Sequence, residues 1–275
     1  MTVLIGICFL VSLLYLATCI TYVRLFLNRP VPATLPTRLL VVSLFCHAVA
    51  LTARGAEAGA AGGAPFAGLS GFMSLFSFLV ACVYLFMEKR YKIKPLGAFH
   101  LPVVFVIQLA ASVFKSPMTE IPALKTGQLF VLHVVPAILA YAALSVSCVS
   151  GAAFLLLERQ LKQKKFGLLM QHIPNLDLVE TVNAAGVKIG LPLLAAGAAA
   201  GIAMGYRHFG NSYHWDVKNW VTISVVAVYA LQLLLRRFGG FRGRRSVLIS
   251  MFGYAAVVFG FTVVNRFFST MHSFF

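Results

Sequence analysis

The chain is written as a series of apolar runs, near residues 2–26, 38–54, 67–87, 95–114, 128–157, 189–205, 219–235 and 246–269. All but the longer fifth run fall within the roughly 17–25 residues that carry an α-helix across the hydrocarbon of a bilayer. In lipid a segment must satisfy its own backbone, which an isolated run of this length does only as a helix. The spacing therefore predicts an all-α, polytopic membrane helix bundle of about eight transmembrane helices. Composition agrees, with 60% hydrophobic residues, 11% charged residues and a mean hydropathy of +0.89, more apolar surface than a soluble core absorbs. Residues 1–275 read as a single integral membrane domain. The first run has no basic region before it and reads as a retained helix rather than a cleaved signal.

The formal net charge of +16 would suit nucleic acid if it lay along one soluble surface. It does not: 17 of the 23 Lys and Arg fall in the first, third, fifth and seventh links, in short clusters at helix ends. That asymmetry is the mark of cytoplasmic loops, so the odd links face the cytoplasm and both termini face outward. No nucleic-acid partner is implied.

Several stretches carry bland readings. Cys8, Cys19, Cys46, Cys82 and Cys148 all lie inside apolar runs without a C-x-x-C pair, and they read as small packing residues. Gly55 to Gly68 reads as a flexible Gly/Ala-rich external link. Glu158 to Glu180 has the pattern of a short basic amphipathic helix lying on anionic lipid, broken at Pro174. The Gly239 to Arg245 stretch lacks the strand and the closing Lys-Ser/Thr of a phosphate loop, so it reads as a tight cytoplasmic turn.

The residues that suggest chemistry collect at the external face. His133 lies about one turn inside the external end of the fifth run, and His272 lies just past the external end of the eighth. Two neutral imidazoles from different helices at one depth suit axial ligation of a haem iron, and they also suit ordinary interfacial hydrogen bonds. The external link Tyr206 to Trp220 adds Tyr213, Trp215 and Trp220, with Arg207 and Lys218 among them. Such aromatic faces can stack on a porphyrin and such cations can pair with propionates, as Arg266 also can, although an interfacial aromatic belt has the same composition. His47 sits near mid-membrane, seven residues before Arg54 on one helix face, where an internal hydrogen bond competes with a role as a buried ligand. His100 and His172 read as structural or solvated.

The order of these pieces resembles one family. Leu129 to Ala142 (LFVLHVVPAILAYA) is similar to the helix that carries the first external histidine of the CcsA/HemX-type cytochrome c assembly family, and Gly190 to Gly201 (GLPLLAAGAAAG) to the helix that follows. Tyr213 to Trp220 (YHWDVKNW) resembles a degenerate form of that family's tryptophan-rich external segment, W-x-W-D-P-K-E-x-W. Gly240 to Arg245 (GFRGRR) and Met271 to Phe274 (MHSF) match its cytoplasmic turn and terminal histidine. The similarity covers roughly residues 125 to 275, leaving 1–125 as a divergent half beside a 126–275 core. It implies a multi-pass protein of the bacterial cytoplasmic membrane that binds b-type, non-covalent haem at the outer face. His133 and His272 would be the iron ligands, and the segment around Trp215 and Trp220 the platform. The implied partners are haem, apocytochrome c and a ResB-like membrane subunit.

Two departures shape that reading. Full synthetases of the family carry a membrane-embedded histidine near the place of Gln232, Leu233 and Leu234, and His214 and Val217 stand where the family often has Trp and Pro. These favour the smaller HemX-like branch. No catalytic acid or base is evident, so the chain is not expected to be an enzyme by itself. A regulatory contact with a cytoplasmic haem-biosynthesis enzyme is the alternative function. A transporter or metal-efflux accessory ranks below it.

Overall fold

A computed structural model describes residues 2–60, 68–114, 128–164, 175–209 and 217–260. Among these residues there are eight α-helices and no strand. They are α1 (Thr2–Phe26), α2 (Leu35–Ala60), α3 (Gly68–Tyr91), α4 (Gly97–Val113), α5 (Gln128–Lys162), α6 (Leu176–Phe209), α7 (Val217–Phe238) and α8 (Arg244–Phe259), with a 3₁₀ turn at Lys94–Leu96 before α4. Seven stretches, covering α1 to α7, are long and apolar enough to cross a membrane. The chain is thus an all-helical, multi-pass membrane protein.

Three boundaries differ from the hydropathy pattern, each for a local reason. Residues 55–60, expected in a flexible link, continue α2, and Ala58 is buried; alanine is the strongest helix former. At the edges of the expected amphipathic segment, Glu158 to Lys162 end α5 and Leu176 to Glu180 open α6; residues 165–174 of that segment lie outside the described residues. Helix α6 also starts well before residue 189, since Glu180 and Asn183, which interrupt the apolar run, find partners inside the protein. Lys188, assigned above to a cytoplasmic link, is an exposed residue within α6.

The chain divides into two compact units. Unit 1 holds α1 to α4, the end of α5 (153–162) and the start of α6 (176–179). Here α1 packs on α2 and α4, and α3 packs on α2 and α4. A Cβ at Gly97 would lie 2.2 Å from Cδ1 of Tyr22 and 2.6 Å from the Tyr84 hydroxyl, so glycine is what lets α4 begin against two buried tyrosines. Hydroxyls stitch the interior: Ser12 to Ser112 at 3.0 Å, Thr18 to Ser43 at 2.9 Å, and Ser77 to the Gln108 carbonyl oxygen at 2.9 Å. Polar side chains at membrane depth pair across helices in this way because lipid offers them no alternative partner.

Unit 2 holds residues 128–152 of α5, residues 180–209 of α6, and α7 and α8. Gly186, Gly190, Gly197 and Gly201 share one face of α6 and press on α5. A Cβ would come within 2.7 Å of the Ala143 carbonyl at Gly186, 2.7 Å of Leu144 at Gly190 and 3.1 Å of the Ala137 nitrogen at Gly197. Small residues at such spacing let two backbones approach closely. The core beside them is Ala140, Leu144, Val187, Leu194, Val225, Tyr229 and Val257. Toward the α7–α8 turn the interior becomes polar: Asn183 donates to the Ser147 carbonyl and to Ser250 Oγ, both at 2.8 Å, and the Tyr229 hydroxyl donates to the Ser250 carbonyl at 2.9 Å. Glu180 accepts from the Arg236 guanidinium and, at 2.9 Å, from the Gly243 N–H. With φ of 62° at Gly240 and 70° at Gly243, that turn needs its glycines.

Candidate functional site

Helix α5 begins at Gln128 and places His133 in its second turn, half-buried. The imidazole Nδ1 lies 2.7 Å from the backbone carbonyl of Gly197 on α6. A carbonyl oxygen only accepts, so Nδ1 carries the proton and Nε2 carries the lone pair of the neutral ring. The ring rests where Gly201 has no side chain, since a Cβ there would stand 2.6 Å from Nδ1 and 2.8 Å from Cε1. Gly197 and Gly201 thus fix both the tautomer and the seat of His133. The motif reading of this segment missed them, yet their signal was present as a G-x-x-x-G step in an apolar helix.

The same end of unit 2 carries other expected site residues. Arg207 is exposed near the end of α6, six positions beyond Gly201, or about 9 Å along the helix. Trp220 is 59% exposed in the first turn of α7. Lys218 falls in that first turn too, with its side chain outside the described residues. Tyr213, Trp215, Arg266 and His272 lie outside the described residues, as does His214. The start of α5, the end of α6 and the start of α7 therefore present an imidazole, a cation and an indole at one end of a helix bundle. That donor set suits a flat, anionic iron macrocycle.

His47 has different surroundings. It is fully buried in unit 1, with Nδ1 3.0 Å from the Tyr15 hydroxyl and Nε2 3.0 Å from Ser74 Oγ. Tyr15 and Phe78 meet its ring edge-on at 5.5 and 5.3 Å. Arg54, on the same face of α2, donates to Ser70 at 3.1 Å. His100 is also buried, stacked on Tyr84 at 4.8 Å with Nδ1 2.8 Å from the Leu96 carbonyl. Gln232, at the place where the resemblance implies a second histidine, is a buried amide whose Nε2 donates to the Ser246 carbonyl at 2.8 Å. Its carbonyl oxygen has no partner among the described residues. All five cysteines are free thiols.

Fold and site define a multi-pass helical membrane protein with a histidine oriented at one end of its bundle. The sequence of the family described as cytochrome c assembly protein matches residues 65–272. The chain belongs to that cytochrome c assembly family, of the CcsA/HemX type, and membership implies haem handling. The match begins at residue 65 rather than near 125, so the kinship reaches into the half that reads as divergent. Protein HemX of Brevibacillus brevis is 28% identical over 136 residues, covering 49% of this chain and 50% of that protein. The cytochrome c biogenesis protein CcsA of Mesostigma viride is 25% identical over 75% of this chain and 76% of its own length. CcsA of Synechococcus elongatus is 24% identical over 86% and 85%. The chain therefore spans half of the HemX relative and most of the CcsA relatives.

Proposed function

We propose that this protein binds b-type haem non-covalently at the outer face of a bacterial cytoplasmic membrane and presents it for cytochrome c assembly. The observation that carries the reading is the His133 seat. A ligand histidine ordinarily donates its second ring N–H to a carbonyl or carboxylate, which fixes ring orientation and raises basicity at the other nitrogen. Here the Gly197 carbonyl plays that part. His272 would be the second residue to hold the iron. Trp215, Trp220 and Tyr213 supply faces for stacking, and Arg207, Lys218 and Arg266 supply cations for the propionates. His47 is assigned to the interior of unit 1. Bound haem would supply the vinyl groups to which the thiols of an apocytochrome c add. The protein's own contribution is orientation and exclusion of water, with a ResB-like subunit as membrane partner. On this reading the odd links face the cytoplasm and both termini lie outside.

The test is a visible spectrum of the protein purified in mild detergent, repeated for His133→Ala and His272→Ala. A bis-histidine spectrum is expected in the parent, with loss of the haem signal in each variant. Survival of that spectrum in both variants overturns the ligand assignment.

A second reading rests on Gln232, an amide of α7 that donates to Ser246 of α8, near the place where full synthetases of the family carry a histidine. It makes the chain a HemX-like regulator whose basic cytoplasmic segment contacts an enzyme of haem biosynthesis. Capture of soluble partners should then fall when Lys162, Lys164 and Lys165 are replaced by glutamine. Unchanged capture removes that contact surface.

A further inference from the structure

Unit 1 has a concavity that the haem reading does not use. Among the described residues Glu88, Lys89, Lys92 and Lys94 line an open recess of about 420 Å³. It lies where the span Gly68–Tyr91 ends and the span Lys94–Val113 begins, which is the depth of lipid headgroups. The chain is folded back there by Lys92, whose φ of 55° is left-handed, a conformation that a lysine adopts at a cost. Lys94 Nζ donates to the Ala33 carbonyl at 3.1 Å, so its ammonium is held in place with two further protons to offer.

The charges around this space are not balanced. Glu88 is buried, and its carboxylate accepts the hydroxyls of Tyr22 and Thr37 rather than a lysine. The ion pairs Lys162 with Glu158 and Arg236 with Glu180 do not involve these three lysines. Three ammoniums therefore face one recessed carboxylate that is already hydrogen-bonded. Lysine is a compact point charge suited to phosphate, and basic recesses at this depth suit phosphorylated headgroups.

We propose that Lys89, Lys92 and Lys94 form an anion site for a phosphate ester, and that an anionic phospholipid headgroup is its source. The full-length protein in detergent is titrated with phosphatidylglycerol, phosphatidylcholine or inorganic phosphate and read by native mass spectrometry. The variants are Lys89→Gln with Lys92→Gln, leaving Lys94 on its carbonyl, and a control of Arg242→Gln with Arg245→Gln at the exposed turn of unit 2. The parent is expected to retain phosphatidylglycerol over phosphatidylcholine. The lysine variant should lose about tenfold or more of that retention, while the arginine control keeps it. Displacement by inorganic phosphate supports the shared phosphate chemistry, and lipid binding without displacement supports the headgroup as the source. Equal retention in parent and lysine variant overturns the site, as does equal loss in both variants. Glu88→Gln, which removes the negative charge, gives a reading if the lysine variant does not fold: retention should rise, and an unchanged or lower value overturns the proposal.

Discussion

His47 in unit 1 and His133 in unit 2 are both membrane histidines with a hydrogen-bonded Nδ1, yet their partners make them different chemical objects. The partners of His47 are two hydroxyls, from Tyr15 and Ser74. A hydroxyl donates or accepts, so either tautomer is satisfied and each ring nitrogen is engaged. The Nδ1 partner of His133 is a backbone carbonyl, which permits one tautomer only. The two rings also differ in setting, one fully buried between helices and the other half-buried near a helix end. A carbonyl partner alone does not mark a site, since buried His100 has one in Leu96; what sets His133 apart is that partner together with a half-buried place near a helix end.

The largest expected effect tests that contrast directly. His133→Ala should lower haem affinity by at least about 100-fold, at the upper end of what loss of ligand-orienting contacts costs, whereas His47→Ala should leave the haem spectrum intact. Measured side by side by haem titration, the reverse pattern would break the comparison. Gly201→Ala should have a smaller effect, roughly 10-fold in affinity, because the added Cβ pushes the imidazole off its carbonyl without removing it. A shifted haem reduction potential would accompany the loss. Unaltered affinity and potential would mean that the ring tolerates displacement. Next, His47→Ala should lower thermal stability in detergent by about 1–3 kcal/mol, the cost of leaving buried hydroxyls unpaired. Smallest of the set is Ser74→Ala, at about 1 kcal/mol with no change in haem binding. A haem effect from Ser74→Ala would assign His47 to the site after all.

Much of the architecture was legible from apolar runs alone, because lipid leaves the backbone no alternative to helix. The failures were also physical. Glu180 and Asn183 stopped the apolar count short of the true start of α6, since their partners Arg236, Gly243, Ser147 and Ser250 are 36 or more residues away and invisible to a local window. At the site, His133 could be found from its position near a helix end. That its proton sits on Nδ1 could not, because the deciding partner is a backbone carbonyl 64 residues on, and every residue has one of those. The polar stitching of unit 1 was hidden for a related reason: serines and threonines scattered through apolar runs look alike until helices are paired.

The glycine face of α6 also fixes a rotational phase. Neighbouring residues on a helix point about 100° apart. A turn of α6 by one position would carry Gly201 away from the imidazole and bring the branched side chain of Ile202 or the methyl of Ala200 toward it. The backbone carbonyl of Gly197 would swing with it. The ring's tautomer and its room to sit are therefore two readings of one angle, so any motion of α6 about its own axis reaches the imidazole of His133 without a separate relay.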